Sequence, residues 1–125
     1  MDRMQIRLAL GLEAMGIEVC PENYDLICGA VYLARQEGIY LTQRPLNYFP
    51  SNNRVSSFVP FAGGPFDGSF YDDLVEIMSD ASLPSEYREV DRFQLSGETV
   101  VKLKELGMKI REEGLETLLE LENAA

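Results

Sequence analysis

Apolar residues recur at helical spacing in two segments near the start of the chain. Between residues 4 and 15 they fall on one side of a helix, and Gly16 follows as a stop signal. The pattern returns over residues 21–37, with Pro21 suited to a first helical turn and Gly38 placed just after the last one. The pattern therefore predicts two amphipathic helices, over residues 4–15 and 21–37.

Two further helices are predicted in the second half of the chain. Apolar residues form a stripe over residues 69–79, and Ser96 is a suitable N-cap for a helix over residues 97–122. Gly107 and Gly114 interrupt this last helix, and each costs about 1 kcal/mol relative to alanine in a helix interior. We expect a bend, a break or a close contact at these glycines.

The segments between the predicted helices have a residue composition typical of loops and short strands. Residues 39–66 contain four prolines, a Ser-Asn-Asn turn and many aromatic residues, and residues 88–95 read as a strand. With 125 residues the chain has the size of one domain. The sequence predicts a single α+β domain over residues 1–125, mostly helical, with about four helices and a few short strands.

Charge is the most unusual property of the composition. The chain has 21 acidic and 11 basic residues, a net charge of -10. Residues 67–80 and residues 112–122 each contain five acids and no base, whereas residues 39–66 contain Arg44 and Arg54 and no acid. A field of this sign repels nucleic acid and anionic lipid and attracts a basic protein surface. We therefore expect a basic protein partner, no direct binding of nucleic acid and no membrane association.

The residues present exclude several kinds of catalytic site. There is no histidine, which removes Ser/His and Cys/His nucleophile pairs, and Cys20 and Cys28 are too few for a four-thiolate metal site. The turn at residues 63–65 lacks the lysine of a phosphate loop. Asp72, Asp73 and Glu76 could form a metal or acid–base site, with Asp72 and Glu76 on one helix face, although a solvated acidic face is the favoured interpretation. We expect no enzyme activity, no metal and no cofactor.

The N-terminus has no features of an export signal, because Arg7 and Glu13 break its apolar stretch. Uncharged runs are also far shorter than the roughly 20 residues that span a bilayer. We therefore expect a cytoplasmic protein in which Cys20 and Cys28 stay reduced.

Three segments resemble a known group of proteins. Residues 26–38, Leu-Ile-Cys-Gly-Ala-Val-Tyr-Leu-Ala-Arg-Gln-Glu-Gly, resemble a helix of YwgA-like and Panacea-like bacterial proteins. Residues 61–74, with Gly-Pro-Phe, a serine and Asp-Leu, resemble their Tyr-Gly-Pro-Tyr-Ser segment and the helix after it. Residues 93–106 are similar to the strand and helix start common in winged-helix domains. The order and spacing agree over residues 24–106.

The resemblance implies a winged-helix-like domain that acts in bacterial or phage conflict. Panacea-like domains are implied to be antitoxins that neutralise partner proteins, and the phage version would be an anti-CRISPR-like inhibitor. Together with the charge, this predicts a non-enzymatic acidic protein-binding module that neutralises a toxin or a nucleic-acid-binding defence complex. The partner-binding residues predicted on the third helix and its flanks are Asp67, Tyr71, Asp72, Asp73, Glu76 and Asp80. A secondary acidic surface comprises Glu112, Glu113, Glu116 and Glu120.

Two alternatives remain open at this stage. One is a winged-helix DNA-binding regulator. Phosphates would be contacted by Arg44 and Arg54, or by the basic residues of the last helix, Lys102, Lys104, Lys109 and Arg111. Its recognition helix would carry Asp72, Asp73 and Glu76 where base-reading side chains are needed. The other alternative is an enzyme that uses carboxylates or a metal.

Overall fold

Five α-helices account for most of the residues that the computed structural model describes, namely 3–43, 47–48, 58–59, 69–79 and 95–123. They are α1 (Arg3–Ala14), α2 (Tyr24–Gln36), α3 (Ser69–Met78), α4 (Gly97–Glu113) and α5 (Leu115–Asn123), and a 3-10 turn, Pro21–Asn23, leads into α2. Two strands of two residues each, β1 (Asn47–Tyr48) and β2 (Phe58–Val59), pair antiparallel, with Asn47 opposite Val59 and Tyr48 opposite Phe58.

The predicted α+β, winged-helix-like fold class is wrong, because the architecture is helical. A two-residue ladder is far shorter than an ordinary strand and makes no sheet layer against which helices could pack. Of the strand predicted over residues 88–95, only Leu95 is described, and it lies outside any strand. The prediction relied on prolines and aromatic residues between the helices. Such residues indicate where a helix ends, but they do not show that the intervening segments pair into a sheet. In the described part of the chain the helices bury their apolar faces against one another.

The helices lie close to where the sequence placed them. The helix predicted over residues 4–15 is α1, and the helix predicted over residues 69–79 is α3. The segment 97–122 is divided into α4 and α5 at Gly114, which has φ +89° and donates its N–H to the Ile110 carbonyl at 3.0 Å. A φ in this region favours glycine, so Gly114 ends α4 and redirects the chain.

The core is formed where the helices pack on one another. Helix α1 packs on α3 and α4, and α2 packs on α4 and α5. Leu33 and Leu74 are 5% and 3% exposed, and Tyr32 is more than half buried. The largest side chains that are fully buried are Phe70, Leu8, Leu12, Met15, Ile27, Leu41, Leu103 and Leu119. Among the described residues, no helix combines the length and the apolar character needed to cross a bilayer.

Two glycines allow close approaches between helices. A Cβ on Gly107 of α4 would lie 2.2 Å from the carbonyl oxygen of Met15, at the end of α1. A Cβ on Gly29 of α2 would lie 2.6 Å from the Leu115 side chain of α5. Arg111 donates from Nη1 to the Met15 carbonyl at 3.1 Å, which further ties α4 to the end of α1. Gly107, which lowers the intrinsic stability of α4, is therefore the residue at which the end of α1 contacts α4 most closely among these glycines.

Candidate functional site

The outward side of α3 carries the most distinctive surface in the described part of the chain. Phe70, Leu74 and Ile77 are buried, which turns the opposite side of the helix to solvent. On that side lie Tyr71, 45% exposed, and Val75, 40% exposed, with the exposed carboxylates of Asp72 and Glu76 beside them. Residues four apart lie one above the other on a helix, so the apolar pair and the acidic pair form adjacent columns. We call these four residues the α3 face.

Asp73, which the sequence analysis grouped with the partner-binding residues, is buried and does not belong to the α3 face. It is 6% exposed and accepts a hydrogen bond from Gln5 Nε2 of α1 at 2.8 Å, in the buried contact between α1 and α3. Its position follows from helical geometry, since residues 70, 73, 74 and 77 share one side of a helix. This helical spacing is visible in the sequence. The prediction grouped the acids of residues 67–80 by charge alone and did not consider on which side of the helix each one lies.

An aromatic contact connects α3 to the start of α2. The ring of Tyr24 lies edge-on to Tyr71, with centroids 5.7 Å apart and planes at 65°, and its centroid is 6.5 Å from that of Phe70. Burial raises the pKa of the Tyr24 phenol above its ordinary value, because the buried site disfavours the charged phenolate. The exposed acids Glu22 and Asp25 flank Tyr24 in sequence, which extends the acidic character towards α2.

Sequence reasoning missed Tyr24 and Val75 as parts of this surface. Val75 is one helical turn after Tyr71, and that spacing was the available signal for an exposed apolar column. Nothing in the sequence pairs Tyr24 with Tyr71, because the contact joins two helices separated by more than forty residues.

Four of the other predicted partner-binding residues belong to the described part of the chain, and two do not. Asp67 and Asp80 are outside the described residues, as are Arg44 and Arg54. The secondary surface consists of the exposed side chains Glu112, Glu113, Glu116 and Glu120. It is divided between the last turn of α4 and the outward side of α5, because Gly114 breaks the helix between them.

Three other features of the described residues bear on the chemistry the chain could perform. Within the described ranges, no three residues of the types His, Cys, Asp and Glu are grouped so as to hold a metal ion. Cys28 is buried as a free thiol, and burial raises its pKa to about 12, so it stays protonated and a poor nucleophile. An open cleft of about 250 Å³ lies between Glu37, at the end of α2, and Lys102, Glu105, Leu106 and Lys109 of α4.

Comparisons with known proteins add no relative. No protein-family model, curated protein or solved structure matches this chain. The resemblance of residues 24–106 to YwgA-like and Panacea-like proteins therefore stays a prediction.

Proposed function

We propose that the chain is a non-enzymatic protein-binding module that binds a basic surface of a partner protein through the α3 face. The observation that carries the proposal is the pairing of exposed apolar side chains, Tyr71 and Val75, with exposed carboxylates on the same helix side. Interfaces depend on a few apolar or aromatic anchors, while surrounding charges speed association and select the partner. Residues 69–79 contain no base that would neutralise these carboxylates locally.

The α3 face is held in place before a partner arrives. Phe70 and Leu74 anchor the helix in the core, and the hydrogen bond between Gln5 and Asp73 fixes it to α1. The ring of Tyr24 supports Tyr71 from the side. A surface that is already ordered loses less conformational entropy on binding, so more of its contact energy appears as affinity.

A partner that fits this surface has a positively charged groove, such as one that binds nucleic acid. Occupying such a groove with carboxylates blocks it, which is how an acidic module of this size would neutralise a toxin or a defence complex in the cytoplasm. The net charge of -10 supports this by steering the chain towards basic surfaces. The resemblance to antitoxin-associated proteins points in the same direction.

Affinity capture tests the proposal with two charge-matched variants. The first, Asp72→Lys with Glu76→Lys, reverses the acids of the α3 face and leaves the buried Asp73 unchanged. The second, Glu116→Lys with Glu120→Lys, makes the same change in charge on α5. Tagged parent and variant chains are incubated with an extract of the cells that produce the protein, and the bound proteins are identified by mass spectrometry.

We expect the parent and the α5 variant to retain the same basic protein, and the α3 variant to lose it. Capture that survives reversal on α3 and disappears on reversal on α5 would move the binding surface to the C-terminal helices. If the parent retains no protein at about 150 mM salt, where exposed charges act over roughly 8 Å, the proposal fails.

A further inference from the structure

The outward side of α4 presents two large apolar residues to solvent. Val101 is 55% exposed and Met108 is 51% exposed. They are seven residues apart, which is two helical turns, so they point in nearly the same direction. Neither residue belongs to the α3 face or to the acidic surface of the C-terminal residues.

A stripe of alternating charge lies beside this apolar pair. Five exposed residues separated by steps of four and three alternate acid and base along the helix: Glu98, Lys102, Glu105, Lys109 and Glu112. These steps keep all five on one side of the helix, next to Val101 and Met108. We call them the charge stripe.

We propose that α4 pairs with α4 of a second copy of this chain, in an antiparallel arrangement about a two-fold axis near Lys104. A two-fold axis there places Val101 opposite the second copy's Met108. It also places Glu98 opposite the second copy's Lys109. In both pairs, the two residues lie at the same height along the helix axes to within about the rise of one residue, roughly 1.5 Å.

The antiparallel orientation follows from the order of the charges. Across this axis the two charge stripes lie on the same side of the seam, where Lys102 also meets the second copy's Glu105. Each match occurs twice by symmetry, as expected for a contact between identical surfaces. A parallel pair would place the two charge stripes on opposite sides of the seam, where they do not face each other.

Pairing within one helix explains only part of this pattern. Lys102 and Glu98 form such a pair, with Nζ and Oε1 3.6 Å apart. An exposed pair of this kind contributes a few tenths of a kcal/mol to a helix. Ion pairs within α4 do not explain why two large apolar residues, Val101 and Met108, are exposed two turns apart on its outward side. A second copy would cover both residues.

The contact is small, so the dimer is expected to be weak. A helix of 17 residues is about 25 Å long, which places a single helix pair at the low end of specific interfaces. Sedimentation equilibrium of the purified chain, from about 10 µM to about 1 mM, covers the relevant range of dissociation constants. The apparent mass should rise from 14.1 kDa towards twice that value.

Two oppositely charged variants provide the decisive comparison. An acidic variant carries Lys102→Glu and Lys109→Glu, and a basic variant carries Glu98→Lys and Glu105→Lys. Each has like charges at the four opposed positions of the charge stripe, 98, 102, 105 and 109, and should self-associate at least about tenfold more weakly than the parent. An equimolar mixture should associate again, because every opposed pair is then complementary. Both variants keep a net negative charge, so general attraction between them does not explain a mixed dimer.

Circular dichroism shows whether each variant keeps its helical content, and Met108→Lys is a single substitution that should also weaken the dimer. The variant Glu116→Lys with Glu120→Lys, on α5, should dimerise like the parent. A parent chain that stays at 14.1 kDa at about 1 mM overturns the proposal, since a dissociation constant of about 1 mM would leave half of it paired. Charge variants that do not associate when mixed overturn it as well.

Discussion

Replacing Gly107 by alanine tests the contact between α1 and α4 most sharply. The added Cβ would lie 2.2 Å from the carbonyl oxygen of Met15 and 2.8 Å from its carbonyl carbon. Both are backbone atoms, so no side chain can rotate away to make room. The end of α1 has to move relative to α4, together with the hydrogen bond from Arg111 to the Met15 carbonyl.

Two effects of opposite sign decide the magnitude. In an isolated helix, changing glycine to alanine would stabilise α4 by about 1 kcal/mol. Forcing an extra carbon into a packed contact typically costs about 1–3 kcal/mol, and more where backbone has to shift. Because the clash is with backbone, we expect Gly107→Ala to lower the free energy of unfolding by about 1–3 kcal/mol. For a chain of this size, that lowers the melting temperature by roughly 3–15 °C.

Gly97→Ala is the matched control on the same helix. Within the described ranges, no atom outside the adjoining backbone lies within 4 Å of a Cβ at Gly97, which is exposed in the first turn of α4. This variant should be as stable as the parent or up to about 1 kcal/mol more stable. Thermal and urea unfolding followed by circular dichroism measure both variants. If Gly107→Ala proves as stable as Gly97→Ala, the end of α1 does not pack closely against Gly107 of α4.

Three further predictions concern the core, the support of α3 and the buried thiol. Leu33→Ala and Leu74→Ala should each lower the free energy of unfolding by about 2–5 kcal/mol in urea titrations, and an unchanged midpoint would contradict their burial. Asp73→Ala should cost about 1–3 kcal/mol in the same assay, because it leaves the buried amide of a glutamine on α1 without this acceptor, whereas Asp72→Ala should cost less than about 0.5 kcal/mol. Burial raises the pKa of the Cys28 thiol from 9.0 to about 12, so the thiol disfavours folding only when the unfolded chain ionises it. Stability should therefore be insensitive to this thiol below pH 9 and fall as the pH rises from 9 towards 12, and Cys28→Ala should remove that part of the fall.

The sequence was informative where one periodicity dominated. The apolar pattern of residues 4–15 and 69–79 placed α1 and α3 to within one residue at each end, because apolar residues recur at helical spacing in both segments. The two glycines of the last helix were correctly marked as special, yet their roles differ for reasons outside the local sequence. Gly114 ends a helix through its own backbone conformation, whereas Gly107 is required by the end of α1.

Features that depend on contacts between distant segments were not accessible in the same way. The fold class was wrong because strand-like texture says nothing about whether partner strands are present to build a sheet. Asp73 was assigned to the surface because it stands among acids, although its helical position relative to Phe70 places it in the core. The contact of Tyr24 with Tyr71 joins two helices and has no local signature.

The affinity of the captured partner, measured at two salt concentrations, tests the central claim most directly. Isothermal titration at about 50 mM and about 300 mM salt compares the parent, Asp72→Lys with Glu76→Lys, and the charge-matched α5 variant. The parent and the α5 variant should bind equally and weaken together as salt rises. Reversal on α3 should weaken binding at least about tenfold at low salt and reduce its salt dependence. A reversal on α3 that leaves both affinities at the parent's values would contradict the assignment of this surface.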